Sequence, residues 1–152
     1  MDQEKTKNLA EELKDISPAP NMPLEVFNAL KRLLPMVAVE VLVLEKDSSF
    51  ALVEKFGKLA LPGGFMGFNE SFEDACRRIV RKYLDIEIDD PKFVSVLNLP
   101  EKIHGSNQGH AIALLFEARS SQRSNKAKYF KIAPENILSH HKLMLDEFLK
   151  KS

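Results

Sequence analysis

The stretch Leu61-Pro-Gly-Gly-Phe-Met-Gly-Phe-Asn-Glu70 sets two adjacent glycines, Gly63 and Gly64, ahead of a strongly charged run. Gly64, five residues, Glu70, seven residues and Arg78 follow in order. Ser71-Phe-Glu-Asp74 supplies a serine cap with an acidic residue three positions on, a variant of the capping box. Glu73 and Asp74 also suit the positive end of a helix dipole. The spacing predicts one helix from this cap through Arg78, fraying near Asp85. Glu73 with Arg77, and Asp74 with Arg78, are spaced to support it. Wound at about 100° per residue, Phe72, Cys76, Ile79, Val80, Tyr83 and Leu84 form one apolar arc. Arg78 lies on the other side with Asp74, Arg81, Arg77 and Glu73, and Lys82 sits on the boundary beside Arg78. A lysine next to an arginine can neutralise a phosphate without a metal ion. A second acid, Glu40, interrupts an otherwise apolar run. It must find a partner or protonate, or else point off a sheet into solvent, and both readings stand.

These side chains need a frame. Residues 36–45 are β-rich and apolar on both faces except at Glu40, the pattern of an interior strand. Asp47-Ser-Ser49 is a turn. Residues 50–56 return as a strand ending near Lys55, and residues 58–61 form a short extended piece leading into the glycine loop. Further strands are predicted at 93–99, 110–119 and 129–132. A polar loop containing His104 spans 101–109, and a polar segment spans 120–128. The segment from 134 to 150 is loop and then helix, which His140-His141 begin without metal-ligand spacing. Ahead of the sheet, residues 2–15 carry Leu9, Ala10 and Leu13 at helical spacing. Pro23 opens a second helix through Leu34, whose expected buried stripe is Leu24, Phe27, Leu30, Leu33 and Leu34.

The run from Gly64 to Arg78 resembles the first half of the Nudix box, G-x5-E-x7-R-E-U-x-E-E-x-G-U, where U is a bulky aliphatic. The second half departs. The three glutamate positions of the box read Ile79, Lys82 and Tyr83, and its last glycine reads Asp85. In the family those carboxylates, spaced i, i+3, i+4, hold magnesium on a diphosphate. Magnesium needs hard oxygen ligands in near-octahedral geometry. Ile79 cannot ligate, Lys82 repels the ion, and a neutral tyrosine is a poor ligand. The resemblance implies an α/β Nudix fold, a mixed β-sheet between α-helices, over residues 35–152, with an N-terminal helical extension at 1–34. In the family the first box glutamate, Glu70 here, supports the loop. A weaker similarity links the chain to the GDP-mannose mannosyl hydrolase branch. It rests on Leu34-Pro-Met-Val-Ala-Val-Glu40-Val-Leu-Val and on the box. That branch carries an acidic site residue at Glu40, a site arginine that falls on Lys55, and its box arginine at Arg78. It departs at Phe65, Lys126 and Tyr83, so its mannosyl chemistry is not carried over.

Length, charge and cysteine usage bound the rest. The 152 residues suit one domain large enough for a real core. Twenty-two basic and 22 acidic residues cancel, so long-range steering toward nucleic acid is weak. The single cysteine, Cys76, rules out an internal disulfide framework and reads as a core residue. No run approaches the roughly 18 apolar residues of a membrane span, and a cytoplasmic protein is expected. The reading is a Nudix-fold protein that binds a small nucleoside-diphosphate-like ligand through Glu40, Lys55, Gly63, Gly64, Glu70, Arg78 and Lys82. No metal or other cofactor is expected, and standard hydrolysis is weak or absent. The alternative is a hydrolase of a nucleoside diphosphate derivative or sugar nucleotide, with magnesium on displaced ligands. Glu70, Glu73, Asp74, Glu101 and Glu117 are its candidates. The N-terminal helices are a brace or a homodimer element.

Overall fold

A computed structural model of the chain describes residues 2–104 and 109–151. Helices α1 (Gln3–Lys14) and α2 (Leu24–Leu33) lead into strands β1 (Met36–Leu44), β2 (Phe50–Lys55), β3 (Lys58–Ala60) and β4 (Gly63–Phe65). Helix α3 (Phe72–Leu84) follows, then β5 (Lys92–Leu99), a single turn α4 (Glu101–His104), β6 (Ala111–Arg119), β7 (Lys128–Phe130) and α5 (Ser139–Lys151). Residues 105–108 of the expected loop, and the side chain of His104, lie outside the described residues.

β1 is the organising strand, and its sequence says why. Nearly every residue from Ala38 to Leu44 is apolar, so both faces can be covered. Ala38, Leu42 and Leu44 point to one side, where Phe50, Leu52, Leu115 and the α5 residues Met144 and Leu145 close around them. Val39, Val41 and Val43 point to the other, against Cys76, Ile79, Val80 and Leu84 of α3. The sheet is thus held between α3 and α5. Burying each of these large aliphatic side chains stabilises the fold by about 1.5–3 kcal/mol. The strand order among the described residues is β3-β2-β1-β6-β5. β1 runs parallel to β6 from Met36 opposite Ala111 to Leu44 opposite Arg119. β5 pairs antiparallel with β6 and bulges between Phe93 and Ser95.

The other edge of β1 is shared. β2 pairs with it at Leu44 opposite Phe50. At the near end β4 pairs instead, with Ala38, Val39 and Glu40 opposite Phe65, Gly64 and Gly63. The glycine pair expected in a loop is therefore part of a short strand. The absence of a Cβ explains the placement. A Cβ on Gly63 would lie 1.6 Å from Oε2 of Glu40.

α3 starts as expected, with Ser71 Oγ accepting the Asp74 amide at 3.1 Å. Its end corrects the expectation of fraying. Asp85 caps the helix in the left-handed conformation, φ 57° and ψ 39°, with its amide donating to the Arg81 carbonyl. That conformation accounts for the glycine of the box at this position. The expected i,i+4 pairs are replaced by longer-range ones. Arg77 reaches Asp90 at 2.6 Å, and Arg78 reaches Glu70. The expected buried stripe of α2 also needs correction. Leu24, Leu33 and Leu34 are exposed, while Phe27 packs its ring on Phe65 at 5.2 Å between centroids. No described helix is long and apolar enough to cross a membrane.

Candidate functional site

Glu40 lies at the middle of β1 with 7% of its surface exposed, so the solvent-facing reading does not hold. Among the described residues its Oε2 has no hydrogen-bond donor. Nε2 of His141, on α5, stands 3.6 Å from it. Lys55 closes the end of β2 and turns inward. Its Nζ donates to the Gly63 carbonyl at 2.8 Å and stands 4.2 Å from the ring centre of Tyr83. Lys82 approaches the same ring at 5.3 Å. Two ammonium groups therefore face one phenol, a cation–π arrangement of about 0.5–2 kcal/mol each. Burial pushes the Lys55 amine below its ordinary value, Lys82 adds to this, and the Glu40 charge works against it. Burial raises the Tyr83 phenol and Glu40 raises it further, with Arg78 opposing. Tyr83 is thus held neutral well past pH 7.

A second unit stands beside this one. Arg78 grips Glu70 with both ends of its guanidinium, Nε to Oε1 at 2.6 Å and Nη2 to Oε2 at 2.8 Å. Nη2 also donates to the Phe65 carbonyl at 3.1 Å. Oε2 of Glu70 accepts the Gly67 amide at 2.8 Å. Such a bidentate pair is among the stronger and more directional contacts a side chain makes. Hydrogen bonding from Arg78 depresses the Glu70 carboxyl, and the carboxylate in turn raises the guanidinium. Glu70 and Arg78 therefore clamp the loop between β4 and α3 onto the helix that follows it.

The residues singled out from the sequence fall into these two units. Lys55 and Lys82 meet at the Tyr83 ring, Lys55 also holds the Gly63 carbonyl, and Glu40 lies against Gly63 on the side of His141. Glu70 and Arg78 gather on each other. Gly64 stands between, with a Cβ at that position 3.8 Å from Ile79. Two participants were passed over in the sequence. Tyr83 figures there only as a lost ligand, yet its ring joins the two lysines. His141 figures only as a helix start, yet its Nδ1 accepts the Leu61 amide at 2.8 Å. Nothing local marks it, because its partners lie in β1 and ahead of β4.

A divalent metal does not fit this arrangement. Ile79 is 1% exposed beneath the sheet. The other two box positions present an ammonium and a neutral phenol, with a second ammonium, that of Lys55, against the same ring. Among the described residues, no group of three or more His, Cys, Asp or Glu side chains could hold a metal ion. The arrangement suits an anion better. A groove of about 310 Å³ opens beside Tyr83, walled by Val53, Glu54, Leu59, Lys126 and Lys128.

A mixed sheet between two helices, with a glycine pair and a glutamate–arginine clamp ahead of and along the first of them, defines the Nudix fold. No protein-family model matches the chain. The ADP-ribose pyrophosphatase of Methanocaldococcus jannaschii is 27% identical over 126 residues, covering 74% of this chain and 72% of that protein. The solved MutT Nudix hydrolase of Burkholderia pseudomallei superposes with a TM-score of 0.66 at 18% identity, over 75% of this chain and 98% of that one. The Nudix domain of Shewanella oneidensis NrtR, complexed with ADP ribose, gives 0.61 at 14% identity, over 93% and 97%. The chain has the Nudix fold, with structural neighbours among the MutT-type hydrolases.

Proposed function

We propose that this protein binds a nucleoside-diphosphate derivative of the ADP-ribose type without a metal ion, and that metal-dependent hydrolysis is weak or absent. What supports the reading is that the three positions where the box resemblance expects carboxylates hold a buried Ile79, a neutral Tyr83 and Lys82, with Lys55 against the same ring. Two ammonium groups supply the charge that a metal supplies elsewhere in the family. The groove beside Tyr83 lies where the rest of the ligand would extend. A relative named as an ADP-ribose pyrophosphatase and a structural neighbour complexed with ADP ribose both favour this ligand class. Calorimetry with ADP-ribose in chelator tests it. The expected result is binding that magnesium leaves unchanged, with no release of AMP. No heat of binding up to millimolar ligand refutes it.

The sequence likeness to ADP-ribose pyrophosphatase also favours a second reading, a phosphoanhydride hydrolase whose metal sits on displaced carboxylates. AMP release that requires magnesium or manganese and disappears in Glu70→Gln would establish that reading over the first.

A further inference from the structure

Three observations converge on the buried histidine of α5. The Leu61 amide donates to Nδ1 at 2.8 Å. An acceptor nitrogen carries no hydrogen, so the ring hydrogen of the neutral imidazole is on Nε2. That N–H faces Oε2 of Glu40 at 3.6 Å, just beyond hydrogen-bond range. Among the described residues Oε2 has no hydrogen-bond donor, and the carboxylate lies against the bare Cα of Gly63. A shift of about half an ångström would close the gap. Gly63 in turn accepts Lys55 Nζ through its carbonyl at 2.8 Å, so acid, glycine and ammonium form one chain of contacts.

We propose that His141 is a positioning residue of the ligand site. It ties the Leu61 amide to the Glu40 carboxylate, and so holds in place the Gly63 backbone on which the Lys55 ammonium rests. The inference rests on the anion-binding reading above and deepens it. Leu61 is followed directly by Pro62 and the glycine pair of β4, so one ring sets both the acid and the strand that covers it. α5 thereby becomes part of the site, although the notable glycine–glutamate–arginine spacing lies wholly ahead of it.

Two substitutions separate the two ring nitrogens. His141→Asn puts an acceptor where Nδ1 stands and removes the donor aimed at Glu40. It is expected to melt near the wild type and to bind ADP-ribose about tenfold more weakly. His141→Gln keeps a donor toward Glu40 and leaves the Leu61 amide without its acceptor. It is expected to melt earlier while keeping affinity within about threefold. Undiminished affinity in the asparagine variant, or equal losses of affinity and stability in both, overturns the proposal. A ligand-free measurement stands beside these. Imidazole nitrogen spectra of the wild type are expected to show hydrogen on Nε2 and none on Nδ1, with the Nε2–H resonance moving in Glu40→Gln. A hydrogen on Nδ1, or a resonance indifferent to Glu40→Gln, overturns the proposal. If the wild type binds no ADP-ribose, the binding reading fails, and these spectra still decide the positioning role.

Discussion

Placing carboxylates where the box resemblance expects them gives the most demanding test of the metal-free reading. The variant is Ile79→Glu with Lys82→Glu and Tyr83→Glu. Without metal, position 79 dominates the cost. Ile79 is 1% exposed and packs inside the α3 core cluster. Removing such a side chain costs about 2–5 kcal/mol, and an unpaired carboxylate in its place adds to that. Tyr83 is half-buried, and its loss adds about 1–2 kcal/mol. Lys82 is exposed and contributes within about 0.5 kcal/mol. The two lost side chains alone, about 3–7 kcal/mol before the buried charge is added, are a large part of the 5–15 kcal/mol typical of a domain. The variant should therefore be marginally stable in chelator. If the three acids converge as in the family, magnesium at a hundred times its dissociation constant should restore about 2.7 kcal/mol. In a chain of this size that corresponds to a rise in melting temperature of about 5–11 °C. Differential scanning calorimetry with and without magnesium reads both effects. The wild type should melt at the same temperature in either buffer. A wild-type melting temperature that climbs by several degrees with millimolar magnesium would refute the reasoning, because it would reveal a metal site built from other groups.

Further outcomes follow from single features. Asp85→Gly should raise stability by about 0.5–1 kcal/mol in urea melts, since the left-handed cap strains an aspartate and the exposed Lys126 pair it loses is worth little. Arg78→Ala should destabilise by about 2–3 kcal/mol, because it strips the Glu70 carboxylate of its bidentate partner. The same clamp sets a pH dependence. Glu70 is depressed in the fold from an ordinary 4.5, so its contribution is complete above that value and is lost as pH falls toward the lowered one. Wild-type stability should accordingly fall more steeply than that of Arg78→Ala as pH drops below the ordinary 4.5. For Lys55 the sign is opposite in consequence. Its depressed amine sheds its proton earlier as pH rises, so ADP-ribose affinity should begin to fall on the acid side of the ordinary 10.5. Lys55→Gln should bind more weakly and show a flatter profile over that range, as read by calorimetry.

What could be read in the chain was what its local chemistry decides. The two apolar faces of β1 announced an interior strand, and Ser71 announced the start of α3. The glycine–glutamate–arginine spacing announced the fold. What escaped depends on contacts made across the chain. Gly63 and Gly64 look like a loop until Glu40 is seen filling the space where a Cβ would be. Arg78 has Asp74 within helical reach, yet Glu70, folded back ahead of the Ser71 cap, offers two oxygens in the plane of its fork and takes it. Leu24 and Leu33 share a helical stripe with Phe27, but only Phe27 meets the sheet, through Phe65. His141 and Leu61 are 80 residues apart, beyond any periodicity.

The parallel ladder between β1 and β6 carries a kinetic consequence. Val37 lies opposite Ile112, so the chain must close a loop of 75 residues before the central pairing forms. Closure on that scale is entropically unfavourable and slows folding relative to helix or hairpin formation. Glu40 sits on one strand of that ladder, and His141 arrives with a helix that docks on the finished sheet. An early folding species can thus possess α3 and its glutamate–arginine clamp while having no ligand pocket at all. Recovery of ligand binding should trail recovery of helical signal during refolding, so that binding reports the last assembly step rather than the first.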